Sequence, residues 1–134
     1  MAAIVALTLP NGEDTPVTKT FTPMDCTSQL ATWTDRTSGI SIGMPTITQS
    51  LTVGGDVNKV VAKVVVPILE SVAGDDSNGF TPAPKVAYTL TAKLEMVLPA
   101  RSTLAQRKDL TAFIYNLIKE GPFETAVNSY ERPF

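Results

Sequence analysis

The chain has 134 residues, 18% of them charged, and a formal net charge of -2 at pH 7. That length supports one domain with its own core. The slight acidity excludes any global pull toward nucleic acid, so binding of a polyanion would depend on local placement of lysines. There is no histidine, which excludes Ser-His-Asp triads, HExxH chemistry and most catalytic zinc sites. The single cysteine, Cys26, excludes an intrachain disulfide and suits a reducing compartment.

Ile4, Val5, Leu7 and Leu9 predict a first strand, and Asn11-Gly12 predicts a two-residue hairpin turn. Residues 16–22 return as a second strand, with Val17, Lys19 and Phe21 alternating against Thr18, Thr20 and Thr22; Pro23-Met24-Asp25 is expected to break it. Residues 28–34, containing Leu30, Thr32, Trp33 and Thr34, predict a short third strand, and 35–43 is polar and turn-like. Over 45–53 the alternation is clean. Ile47, Gln49, Leu51 and Val53 share one face, and Thr46, Thr48, Ser50 and Thr52 the other. Gly54-Gly55-Asp56 turns the chain. Residues 57–69 come back with Val60, Ala62, Val64 and Val66 opposed to Lys59, Val61, Lys63 and Val65, and their β-branching favours strand over helix.

A long loop follows over 70–84, rich in Ser71, Gly74, Asp75, Asp76, Ser77, Asn78, Gly79, Phe80 and Pro82. Loops of this length in small domains are usually functional or mobile. The adjacent Asp75 and Asp76 read either as a solvated turn or, with Asn78, as a weak calcium site. Residues 85–98 predict the last strand, with Leu90, Ala92, Leu94 and Met96 alternating with Thr89, Thr91, Lys93 and Glu95. After Pro99-Ala100-Arg101, Thr103 with Gln106 fits a capping box, and a helix runs to about Glu120. Gly121 is placed as its C′ residue and Pro122 as the first turn of a short helix over 122–129. No repeat or linker divides residues 1–134, which read as a single domain.

Two surfaces stand out. Leu110, Phe113, Ile114, Leu117 and Ile118 form an i, i+3, i+4, i+7, i+8 stripe that must be buried, either on the chain's own sheet or against a second copy. The polar face of the 46–52 and 57–65 hairpin carries Thr46, Thr48, Ser50, Thr52, Lys59 and Lys63, joined by Thr89, Thr91 and Lys93 if the last strand pairs beside it. Lysines attract phosphate and hydroxyls bond phosphates and base edges, so this is the candidate nucleic-acid face. From the pattern alone the ordinary polar side of a half-exposed sheet is the favoured reading, with Val57, Val61 and Val65 interspersed. Trp33 and Tyr88 are core aromatics or base-stacking platforms. Phosphate-binding glycine motifs are absent, the acids are scattered and Cys26 lacks a base, so neither an enzyme nor a cofactor is expected. No apolar run is long enough to span a membrane, and 1–9 is too short for a secretion signal.

The order of elements resembles the coat proteins of single-stranded RNA bacteriophages, the leviviruses. Gln29-Leu30-Ala31-Thr32-Trp33 is similar to that family's third strand, and Lys63-Val64-Val65-Val66-Pro67 to the end of its fifth. Lys85-Val86-Ala87-Tyr88-Thr89, Ala100-Arg101-Ser102-Thr103 and Gln106-Arg107-Lys108-Asp109-Leu110 are similar to its last strand and helix start. The resemblance covers essentially the whole chain and implies an α+β fold. An N-terminal β-hairpin, a five-stranded antiparallel sheet and two C-terminal helices would interlock with a second subunit in a homodimer. Leu110, Phe113, Ile114, Leu117 and Ile118 would then be shared between protomers. Dimers would build an icosahedral shell in the virion, made in the bacterial cytoplasm, with residues 70–84 at inter-dimer contacts.

The inward face would bind the single-stranded RNA genome and an operator hairpin, repressing translation. Leu30, Thr46, Thr48 and Lys63 match the family's adenine pocket. Val61 stands where some relatives have threonine, Ser50 where some have arginine, and Val65 where some have glutamate. Tyr88 matches a tyrosine that stacks on a loop base, yet alternation aligns it with Leu90 and Leu94, so a bulge would be needed to turn it toward RNA. No metal, cofactor or membrane partner is implied. The competing readings are a non-viral polymerising β protein of tube or pilus type and a monomeric ligand-binding β module.

Overall fold

Alternating β-branched and polar residues build a six-stranded antiparallel sheet in the computed structural model, which describes residues 3–70, 79 and 82–132. The strands are β1 Leu7–Pro10, β2 Thr18–Cys26, β3 Leu30–Thr34, β4 Thr46–Val53, β5 Val57–Leu69 and β6 Val86–Pro99, neighbours in chain order. Helices α1 Leu104–Lys119 and α2 Gly121–Ser129 follow. The expected hairpin and five-stranded sheet share β2, since Phe21 faces Leu7 of β1 and Thr22 faces Thr34 of β3. Six strands thus serve the architecture expected from the sequence.

Three local expectations are corrected. The β1–β2 connection is not a two-residue turn but a loop from Asn11 to Val17. The Asn11 amide donates to the Val17 carbonyl (2.9 Å), and its side-chain oxygen accepts from the Val17 amide (2.8 Å). Asn11 thereby closes a wider loop as an Asx device and leaves Gly12 outside the turn position. Pro23-Met24-Asp25 does not end β2. The register with β3 slips between Pro23 and Asp25, so a bulge at Met24 absorbs the irregularity and the strand continues to Cys26, which is exposed. Gly121 is not a left-handed cap of α1. Glu120 ends α1 in an extended conformation and serves as N-cap of α2, which Gly121 opens.

The small core lies where the N-terminal hairpin folds over one sheet face. Phe21, Trp33 and Ile47 are buried together, with Ile4, Leu7, Ala31 and Val64 packed around them. The Trp33 indole donates to the Val5 carbonyl at 2.8 Å, so Trp33 is a core aromatic that also ties down the start of the chain. Beside it, Asp35 is only 6% exposed. Its carboxylate accepts from the Thr37 hydroxyl and from the Thr37 amide (3.0 Å). These bonds, aided by Lys19, hold the carboxyl below the usual aspartate range despite burial. The stabilisation is complete above that range and is lost as pH falls through the depressed folded value. Urea midpoints measured from about pH 5 down to about pH 3 should therefore fall more steeply for the wild type than for Asp35→Asn. Parallel acid limbs would contradict this role.

The β4–β5 turn depends on one glycine. The Gly54 amide donates to the Val57 carbonyl at 3.1 Å, and a Cβ at Gly54 would sit 2.5 Å from that same oxygen. The obstacle is backbone and cannot rotate away. Gly54→Ala should lower stability by about 1–3 kcal/mol, read as a lower thermal midpoint by circular dichroism. Gly55→Ala, which meets nothing within 4 Å, should leave the midpoint nearly unchanged.

At the start of α1 the capping box forms as expected. Thr103 Oγ1 accepts from the Gln106 amide (3.3 Å) and Gln106 Oε1 accepts from the Thr103 amide (2.9 Å). The helix then leaves its own sheet. It packs on α2 and makes no substantial packing with any strand of its chain. The accessible surface is 10560 Å², against about 6,800 Å² expected of a compact monomer of 14.3 kDa.

Candidate functional site

Strand pairing sets the polar face as a grid. Thr32 of β3, Thr48 of β4, Lys63 of β5 and Lys93 of β6 lie in one row. On one side is the row Leu30, Ser50, Val61 and Glu95; on the other is Thr34, Thr46, Val65 and Thr91. Thr52, Lys59 and Val97 form a further row, and Thr89 faces Pro67. The structure therefore brings Leu30, Thr46, Thr48, Ser50, Thr52, Lys59, Val61, Lys63, Thr89, Thr91 and Lys93 onto a single face. Val61, Thr46, Thr48 and Ser50 are half-buried, while the three lysines are exposed.

The charges on this face are unequally matched. Glu95 bridges Lys59 (2.8 Å) and Lys93 (3.3 Å), one lysine on each carboxylate oxygen. The hydrogen bond from Lys59, then that from Lys93, lowers the Glu95 carboxyl below its usual range. Lys63 has no carboxylate partner among the described residues and lies directly across from Lys93. Like charges directly opposite one another weaken a sheet. A sheet selected only for its own stability gains nothing from that pairing, whereas a bound polyanion would relieve it.

Tyr88 is separated from this group. It lies opposite Ile68, on the face of Leu90 and Leu94. The one register shift between β5 and β6 falls between Ile68 and Leu69, on the loop side of Tyr88, so it does not turn the ring over. Thr32 also joins the lysine row; in the sequence only its spacing of two from Leu30 signals this. Of the loop residues, Gly79 and Pro82 are described, Gly79 with positive φ (+72°). Ser71, Gly74, Asp75, Asp76, Ser77, Asn78 and Phe80 lie outside the described residues.

The second surface is apolar. Phe113 is 70% exposed and Leu117 57%; Leu110 and Ile118 are also exposed, and Ile114 is half-buried. Leu104, Tyr115, Phe123 and Val127 extend the exposed apolar set beyond the predicted stripe, the last two recognisable by their i, i+4 spacing in α2. On the sheet, Leu51, Val53, Leu90 and Leu94 share the face opposite the lysines and are exposed beyond the part that the N-terminal hairpin covers. A cleft of about 560 Å³ beside the N-terminal hairpin, floored by Phe21, Ile47, Val64 and Val66, continues this face. Among the described residues, no strand lies beside the outer edge of β6.

Comparison with known proteins places this architecture. The family model described as levivirus coat protein matches residues 2–134. Among solved structures, the chain is similar to that of the virus-like particle of bacteriophage ESE058, with TM-score 0.92 and 23% identity over 99% of this chain and 100% of that one. It is similar to that of bacteriophage NT-214, with TM-score 0.87 and 27% identity over 99% and 100%. The capsid protein of bacteriophage GA follows the same fold, with TM-score 0.73 and 22% identity over 99% and 98%. The search of curated proteins gives no significant match. With the family model spanning almost every residue and the six-strand, two-helix architecture shared, the chain belongs to the levivirus coat protein family and is a structural subunit of a phage capsid.

Proposed function

We propose that two copies of this chain join through the outer edges of β6 into one continuous sheet, with α1 and α2 of each crossing onto the apolar face of the other. The observation that carries this reading is a helix pair with Phe113 and Leu117 largely exposed beside a sheet face that is itself exposed beyond the N-terminal hairpin. The surface excess of several thousand Å² matches what obligate homodimers bury. A bare fourteen-residue edge strand is an aggregation hazard unless another strand covers it. Dimers then assemble into a closed icosahedral shell in the virion, made in the bacterial cytoplasm.

In this reading the lysine face lines the interior and holds the single-stranded RNA genome. Leu30, Thr46, Thr48 and Lys63 form a pocket for an unpaired adenine, through which a dimer binds an operator hairpin and represses translation. The half-buried Thr46 and Thr48 and the carboxylate-free Lys63 support it. Recombinant protein viewed by negative-stain electron microscopy should give round closed shells whose absorbance ratio at 260 and 280 nm reports nucleic acid. Rods would favour a tube-type polymer. A nucleotide-free 14.3 kDa monomer at every concentration would overturn the dimer and RNA assignments together.

A further inference from the structure

Glu95 stands on the edge strand β6, between lysines of a face otherwise suited to phosphates, and a carboxylate there repels a phosphate chain. Its two oxygens are held apart by two different amines, Lys59 on Oε1 and Lys93 on Oε2. Each oxygen accepts more than one hydrogen bond, so one bond to each lysine leaves acceptor capacity on both. The side chain remains 37% exposed. Directly across the strand pair lies Val61, half-buried, a floor on which a flat ring can rest between Lys59 and Lys63.

Single-stranded RNA is read through the Watson–Crick edges of unstacked bases. Only guanine presents two parallel N–H donors there, at N1 and N2, the complement of a carboxylate's two acceptors. Uracil and adenine cannot offer that pair, and cytosine offers only its N4 amine. We infer that Glu95, with Val61 as its floor and Lys59 and Lys93 as its flanks, is a guanine-accepting subsite separate from the Leu30, Thr46, Thr48 and Lys63 pocket. The inference rests on the proposal that this face binds RNA. The flanking amines neutralise the carboxylate against neighbouring phosphates and leave its acceptors available to a base.

The test uses purified dimers, free of packaged RNA, and short uridine oligonucleotides carrying one central guanosine, inosine, adenosine or uridine, titrated by fluorescence anisotropy. Inosine keeps N1–H and lacks the N2 amine, so the wild type provides its own control. The wild type should bind the guanosine oligonucleotide about tenfold tighter than the uridine one, with inosine close to uridine. Glu95→Gln should erase the guanosine preference while tightening binding to all four, because two lysines are released. Equal tightening with the guanosine-to-uridine ratio unchanged would reduce Glu95 to a neutralising charge and overturn the inference. Wild-type binding with no preference would overturn it and leave the RNA reading intact. No binding of any oligonucleotide at low salt would remove the RNA reading and the inference with it.

Discussion

Replacing Phe113 and Leu117 together by serine is expected to abolish the dimer and every larger particle. Both side chains are largely exposed within their own chain, so a monomer gains little from them. In an interlocked dimer each is core. Truncating a packed apolar side chain costs about 2–5 kcal/mol, and each substitution occurs twice per dimer. That loss matches or exceeds the whole stability of a typical domain. Light scattering after size exclusion should show monomeric or unfolded chain and no shells. Lys108→Ser, on the opposite side of α1, should change stability by no more than about 0.5 kcal/mol. Dimers of wild-type stability from the double variant would sink the crossing-helix arrangement. A folded, soluble monomer would show that the sheet needs no roof.

The stripe was visible in the sequence because helical periodicity depends only on spacing, and Thr103 with Gln106 marked its start correctly. β5 was legible to its last residue, since its high content of valine and its two-residue alternation of lysine with apolar residues favour strand over helix. What could not be read locally was decided by partners distant in sequence. Asn11 captures the amide of Val17 and converts a short turn signal into a wide loop. Pro23 breaks nothing because β2 leaves β1 for β3 at that point and a bulge follows. The grid of the lysine face followed from alternation, but the opposition of Lys63 and Lys93, and the fork of Lys59 and Lys93 on Glu95, needed the β5–β6 register. Tyr88 illustrates the reverse. Family likeness pointed it toward RNA, whereas simple alternation put it beside Leu90, and alternation agrees with the register.

Lys63→Ala is expected to weaken RNA binding and flatten its salt dependence without disturbing the dimer. Per chain, three lysines less one glutamate leave two positive charges on the face, and a dimer has twice that. Neutralising about four phosphates of a single strand gives a slope of about -2.8 in log K against log salt, an affinity loss of about 50-fold between roughly 50 and 200 mM. Removing both copies of Lys63 halves the charge, so the same salt change should weaken binding only about sevenfold. Lys63 carries this effect because it is the lysine of the three not already engaged by Glu95. Lys59→Ala removes the same charge per chain and also strips Glu95 of one of its two neutralising amines, so it should weaken RNA binding at least as much, but through charge and carboxylate repulsion together. Dimer dissociation constants should be unchanged in both variants, because Lys63 and Lys59 lie on the face opposite Leu90 and Leu94, which α1 of the partner would cover in the proposed dimer. A Lys63→Ala protein that keeps the wild-type salt slope would show that the phosphates are held elsewhere, and one that no longer dimerises would make Lys63 a structural residue.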